Sequence, residues 1–158
     1  MDNDALREAQ QFFHQRIPLT RKMGLRVVPD TLHGFAIEAP VRLNSNHLQT
    51  AFGGSINAVA TLAGYGLLWL ELREQIAHVV VASSSIRFLH PVREVIRATC
   101  LRPDDRDLDS LKATLRGKGK ARMTLSVQLD EANVRTAQFD GTFVAFRDAD
   151  WQSQALKL

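Results

Sequence analysis

The apolar positions change period several times along the chain, and each change marks an element. After Asp4, residues Leu6, Ala9, Phe12, Phe13 and Ile17 recur at helical spacing until Pro18 interrupts them, so a short N-terminal helix is predicted. "LRVV" and "GFAIEAPV" follow as two strands, parted by "PDTLHG", whose Pro, Asp and Gly mark a turn. In the second strand Phe35, Ile37, Ala39 and Val41 alternate with Ala36, Glu38 and Pro40.

From Gly54 to about Glu74 the pattern becomes helical again, and Ile56, Val59, Leu62, Ala63, Leu67, Trp69 and Leu72 with their neighbours leave almost no polar face. Such a helix is wrapped by the rest of its own domain. "HVVVASSSIRFLH" and "EVIRATCLR" read as strands around a turn at Pro91, and "PDDRDLDS" as an acidic loop. "KARMTLSVQL" places Ala121, Met123, Leu125, Val127 and Leu129 on one face, and "VRTAQFDGTFVAF" does the same with Ala137, Phe139, Phe143 and Ala145. The order of helix, two strands, buried helix and four strands predicts an α+β fold, with a curved antiparallel sheet around one central helix.

At 158 residues, without an internal repeat or a Pro/Gly/Ser-rich linker, the chain reads as one domain over 1–158. The formal charge is only +3, so a preference for anions must come from local clusters. The single cysteine, Cys100, excludes an intrachain disulfide and suits a reducing compartment, which sets the expectation of a cytoplasmic protein. The N-terminus lacks the features of a secretory signal. The longest apolar run, Ala58 to Leu70, falls short of the roughly 20 residues of a membrane span, so no membrane partner is expected.

The richest stretch is "TAFGGSINAVATLAGYG", Thr50 to Gly66. Amides in the first turn of a helix have no intrahelical partner and sit at the positive end of its dipole. Gly53 and Gly54 remove the side chains that would hold a ligand away, so the amides of Gly54 and Ser55 are candidates for an oxyanion hole. The alternative is tight packing of loop on helix, with Ser55 as a cap. Asn57, Thr61 and Tyr65 follow at four-residue intervals on one face. They either line a substrate channel or bond to neighbouring backbone.

The order of elements and the run "NSNHLQTAFGGSINAVATLAGY" resemble the hotdog-fold thioesterases, and more narrowly the thioesterase-type domain at the C-terminal end of some bacterial acetyltransferase-like proteins. The resemblance spans roughly Ile17 to Arg147. It implies edge-to-edge pairing of subunits, as a homodimer or dimer of dimers, and an acyl-CoA or acyl-carrier-protein substrate. Set against the Asn, His-Gly-Gly and helical acidic residue of the phenylacetate-type members, the Asn falls on Asn46 and the glycines on Gly53 and Gly54, while Phe52 and Thr61 stand at the His and acidic positions.

No Asp or Glu lies between Glu38 and Glu71, so water activation falls to Asn46, His47, Thr61 or a group of the second subunit. A thiol leaves as thiolate without a dedicated acid, because its pKa is about 8.5. Phe52, Gly53, Asn57 and Tyr65 are the matching candidates for substrate contact. "RGKGKAR" adds Arg116, Lys118, Lys120 and Arg122, which on an extended chain share one face; they either receive the phosphates of acyl-CoA or an acidic carrier, or are ordinary solvent-facing charges. No aromatic residue interleaves with these charges, so nucleic acid is not an expected partner.

The five histidines, His14, His33, His47, His78 and His90, show no metal-ligand spacing, and no cofactor is implied. Ser83 to Ser85 lack the nucleophile-elbow pattern, and Cys100 alternates with Ile96 and Ala98 on a core face. The expected function is therefore thioester hydrolysis. A non-catalytic acyl-CoA-binding module and a same-fold enoyl hydratase or dehydratase are the alternatives.

Overall fold

The computed structural model describes residues 3–30, 34–75 and 77–147. The expectations for the tail after Asp148, and His33 in the turn before the second strand, lie outside the described residues. The elements in order are helices α1 (Asn3–Arg16) and α2 (Leu19–Lys22), strands β1 (Arg26–Val28) and β2 (Phe35–Pro40), and helix α3 (Gly53–Leu72). Strands β3 (Ala77–Phe88) and β4 (Val95–Cys100), helix α4 (Asp105–Lys118), and strands β5 (Lys120–Glu131) and β6 (Val134–Arg147) complete the chain. The strands form one antiparallel sheet in the order β1-β2-β4-β5-β6-β3.

The all-round apolar segment is α3, and it packs against β2, β3, β4, β5 and β6. Two of its glycines set how close the sheet can come. A Cβ at Gly66 would stand 2.3 Å from the Phe35 ring and 2.8 Å from that of Phe13, and one at Gly64 would stand 2.6 Å from the Phe143 ring. The phenylalanines therefore press directly on helix backbone, which gives dense packing around a cylinder with almost no polar face. By length and hydropathy the stretch Gly53–Gln75 would pass for a membrane span, which corrects the shorter estimate from the sequence, but 61% of its most apolar window is buried inside the protein. That is the signature of a core helix.

Helix α1 closes the far side of α3 through aromatic contacts. Phe12 stacks on Trp69 at 4.5 Å and on Tyr65 at 6.3 Å, and Phe13 meets Phe35 edge-on at 6.3 Å. Fully buried Phe13, Phe139, Phe143 and Ile37 join Leu67 and Leu68 in the same core.

Helix α4 replaces the acidic loop expected from "PDDRDLDS". Asp104 caps it by accepting from the Asp107 amide at 2.8 Å, Asp105 and Asp107 lie in its first turn, and Gly119 ends it at φ 71°. The acidic run is thus an N-terminal capping signal followed by the buried positions Leu108, Leu111 and Leu115. Glu71, in the last turn of α3, ties this helix to the core through Arg102 at 2.6 Å and Lys112 at 3.2 Å.

Glu131 organises the turn into β4. Its carboxylate accepts from the amides of Arg93, Glu94 and Val95 at 2.8 to 3.2 Å. Burial pushes this carboxyl up, but the three amide bonds and the nearby Arg93 charge outweigh it and hold the pKa below the usual value. A carboxyl depressed by folding contributes stability above its unfolded pKa and loses it as pH falls through the folded value. The thermal midpoint should therefore fall with acidification below about pH 4.5, and Glu131→Gln should flatten that fall while lowering the midpoint at neutral pH. Gly66→Ala should destabilise by about 1–3 kcal/mol through overpacking, read as a lowered denaturant midpoint with an unchanged slope.

Candidate active site

The start of α3 is delivered by a tight loop. Ser45 and Ala51 form an isolated bridge, the Asn46 amide donates to the Thr50 carbonyl at 2.8 Å, and the Phe52 amide donates to the Asn44 carbonyl at 2.8 Å. Gln49, at φ 60°, turns the tip. The Asn46 side chain fills the loop: its oxygen accepts from the amides of Leu48 at 2.8 Å and Thr50 at 3.2 Å, and its amide group donates to the Thr50 hydroxyl at 3.0 Å. Asn46 is thus a loop-forming residue whose hydrogen-bonding capacity is spent inside the loop. Asn44 anchors the base, buried and donating to the carbonyls of Met23 and Pro40, each at 2.8 Å.

Helix α3 then begins without a side-chain cap, after Phe52 in an extended conformation. The first amide to find a partner is that of Ile56, which donates to the Phe52 carbonyl at 3.0 Å. Among the described residues the amides of Gly53, Gly54 and Ser55 have none. Three donors at the positive end of a 20-residue helix are left available.

Two clefts flank this turn. One, of about 340 Å³, is lined by Thr50, Ala51, Gly53, Ile56, Phe88, Leu89, His90, Pro91 and Val92. The other, of about 390 Å³, is lined by Leu19, Lys22, Met23, Leu43, Asn44, Phe52, Gly54, Ser55 and Ala58. The two glycines separate them. Phe88 lies over Gly53, and Phe52 lies so close over Gly54 that a Cβ there would stand 2.3 Å from its ring. Both rings remain more than half exposed, at 56% for Phe52 and 54% for Phe88, as do Leu19 and Leu48. Exposed apolar side chains, Leu19, Leu43, Phe52, Phe88 and Leu89, thus gather around the two clefts.

The predicted residues therefore separate. Phe52, Gly53, Gly54 and Ser55 meet at the helix start. His47 is exposed on the loop tip and lines neither cleft. Asn57 and Thr61 are half-buried, and the Thr61 hydroxyl donates to the Asn57 carbonyl at 2.9 Å, a bond within the helix. Tyr65 points into the cluster with Phe12 and Phe13, where burial raises its pKa. The polar stripe is thus not one wall of either cleft.

The cationic strip also divides. Arg116 and Lys118 end α4, Gly119 reverses the chain, and only Lys120 and Arg122 lie on β5. The extended run assumed from the sequence is broken by the helix. It also sits at the wrong end of the sheet. Lys120 pairs with Phe146 opposite His78, whereas the row Leu129, Ala137 and Phe88 lies at the start of α3, nine residues or about 30 Å along β5.

The residues not foreseen in the sequence are His90 and Lys22. His90 follows the end of β3, where its amide and that of Leu89 both donate to the Thr136 carbonyl, at 3.1 and 2.8 Å. The sequence signal is the His-Pro pair at a strand end, but which strand end meets the helix is decided by the strand order. No carboxylate lines either cleft, and no group of three or more His, Cys, Asp or Glu residues able to hold a metal occurs among the described residues. Cys100 is buried and its thiol pushed up to about 12 by burial, so it is inert as a nucleophile.

A curved antiparallel sheet closed around one helix, with open amides where that helix begins, defines a hotdog-fold protein of the thioesterase type. The chain belongs to the family described as "Putative thioesterase (yiiD_Cterm)", whose model matches residues 6–147. It is similar to a solved "putative thioesterase" from Shewanella oneidensis at 31% identity, covering 92% of this chain and 99% of that one, with a TM-score of 0.83. A protein of unknown function from Chlorobaculum tepidum matches at 27% identity over 92% of this chain and 100% of its own, with a TM-score of 0.84. At 16% identity the PaaI protein of Escherichia coli, from the phenylacetic acid degradation operon, shares the fold over 91% of this chain and 94% of its own, with a TM-score of 0.61.

Asn46→Ala removes the internal bonds of the loop and leaves the amides of Leu48 and Thr50 without their acceptor. It should cost about 1–3 kcal/mol, read as a lowered thermal midpoint. The loss of stability should exceed any loss attributable to a role in water activation, which a parallel measurement of turnover below the midpoint separates.

Proposed function

We propose that the protein hydrolyses an acyl-CoA or acyl-carrier-protein thioester across the first turn of α3. The observation that carries this reading is the pair of open clefts meeting at three unpartnered amides, between two exposed phenylalanine rings. The acyl group lies along the Phe88 and Leu89 side, where Ile56 and Val92 extend an apolar floor. The thioester oxygen points at Gly54 and Ser55, with Gly53 beside them. In the tetrahedral intermediate that oxygen carries full negative charge, and each fixed amide that meets it is worth about 3 kcal/mol of transition-state stabilisation.

His90 is the one imidazole among the side chains lining the two clefts, and an imidazole within reach of the water serves as a general base. It takes a proton from the attacking water as the oxygen bonds to the carbonyl carbon. The intermediate then collapses, the carbon–sulfur bond breaks with its electron pair going to sulfur, and the thiolate recovers the proton from the imidazolium. Asn46 holds the loop rather than the water in this reading, and Phe52 walls the site where the resemblance would place a histidine.

The reading includes a homodimer in the cytoplasm. β3 is one of the two outer strands of the sheet, its outer edge has no strand partner among the described residues, and Val81 and Ser83 to Ser85 are exposed along it. A 12-residue edge of this kind is a ready template for antiparallel pairing with its counterpart in a second copy.

Thiol release from a panel of acyl-CoA and acyl-carrier substrates of graded chain length tests the reaction. Release is expected, and His90→Gln should lower kcat by about 100-fold or more with the thermal midpoint held. Tight binding with no release would instead identify a binding module, and water addition to an enoyl substrate would identify a hydratase.

A further inference from the structure

The two clefts differ in charge, and the difference orders the substrate. The Phe88 side contains no lysine or arginine. The other side contains Lys22, at the end of α2, next to Arg21. Arg42, one residue before the cleft-lining Leu43, lines a third hollow across the ridge where Leu43 and Pro40 press on Gly24. Arg21, Lys22 and Arg42 are all exposed, and none has a carboxylate partner among the described residues. The acid on this side, Glu38, already holds Arg26 at 3.2 Å and Arg97 at 2.7 Å. One uncompensated cation, Lys22, thus lines the cleft that also takes in Gly54 and Ser55, with Arg42 in the neighbouring hollow, on a chain whose net charge is only +3.

We propose that the Lys22 cleft seats the phosphate-bearing arm of the thioester's carrier, with the Lys22 ammonium meeting the phosphate. The polarity of the substrate follows: the acyl group enters the Phe88 cleft, the sulfur lies at the helix start, and the arm leaves past Phe52 toward Lys22. This assignment rests on the thioester reading above. It moves the phosphate contact away from Arg116, Lys118, Lys120 and Arg122, which lie at the other end of the sheet within one chain.

Two measurements on the full chain test it. The first is the affinity for CoA itself by calorimetry. The second is the ratio of kcat/KM for an acyl-CoA to that for the N-acetylcysteamine thioester of the same acyl group, which carries no phosphate. Lys22→Glu should weaken CoA binding about tenfold or more and lower the ratio by a similar factor, and Lys22→Gln should move both in the same direction by less. A phosphopantetheinylated acyl-carrier protein supplies the same phosphate from a protein source, and a loss seen with it alone would assign the cleft to the protein-borne arm. CoA and carrier affinities both within twofold of wild type, or an equal loss with the phosphate-free thioester, would overturn the proposal. A wild-type protein that binds CoA but releases no thiol from any substrate would overturn the hydrolase reading instead, and the Lys22 effect on CoA affinity would still decide the cleft.

Discussion

The fold depends on burying a helix that has almost no polar side. An ordinary surface helix needs one wall, but α3 needs a sheet that bends around it and a second helix to close what the sheet leaves open. That demand explains the large rings at Phe35, Phe139 and Phe143, the glycines that let two of those rings reach helix backbone, and the stack of Phe12 on Trp69 beneath α1. It also explains the site. A helix enclosed along its length still has an end, and the amides at that end cannot be satisfied by the apolar walls that satisfy the rest. Here the loop from Asn44 to Phe52 uses its own side chains to hold itself together and supplies no cap.

The architecture was legible because periodicity reports burial directly. The alternation in β2, β5 and β6 and the uninterrupted apolar character of α3 each reflect which faces meet the core. Helix α4 was missed for a physical reason. Its opening acids look like solvent-exposed loop, although Asp at a cap and in a first turn stabilises a helix start, and its buried positions are only Leu108, Leu111 and Leu115. Reading that segment as extended also made Arg116 and Lys118 continuous with Lys120 and Arg122, so one missed helix produced a false strip.

The candidate site was half legible. Gly53, Gly54, Ser55 and Phe52 are local to one stretch and assemble wherever that stretch folds as a helix. Their neighbours are not local. His90 shares a cleft with Gly53, and Lys22 shares one with Ser55, because the end of β3, at one edge of the sheet, and the end of α2 both come to the start of α3. No spacing in the sequence encodes those meetings. Conversely, the regular spacing of Asn57, Thr61 and Tyr65 suggested a common wall, but Tyr65 is claimed by the aromatic cluster and Thr61 by its own helix backbone. Shared helical phase does not guarantee a shared environment.

The loop before α3 separates two duties that many sites combine. Asn46 and the Ser45–Ala51 bridge fix its frame, while His47, Leu48 and Gln49 project outward at the tip with no packing role in the core. The side chains of His47 and Leu48 are therefore open to exchange without cost to the helix they precede, whereas Gln49, at φ 60°, is restricted by its left-handed backbone. The frame of the loop and the decoration of its tip can thus change independently, while the unpartnered amides behind them stay where the core put them.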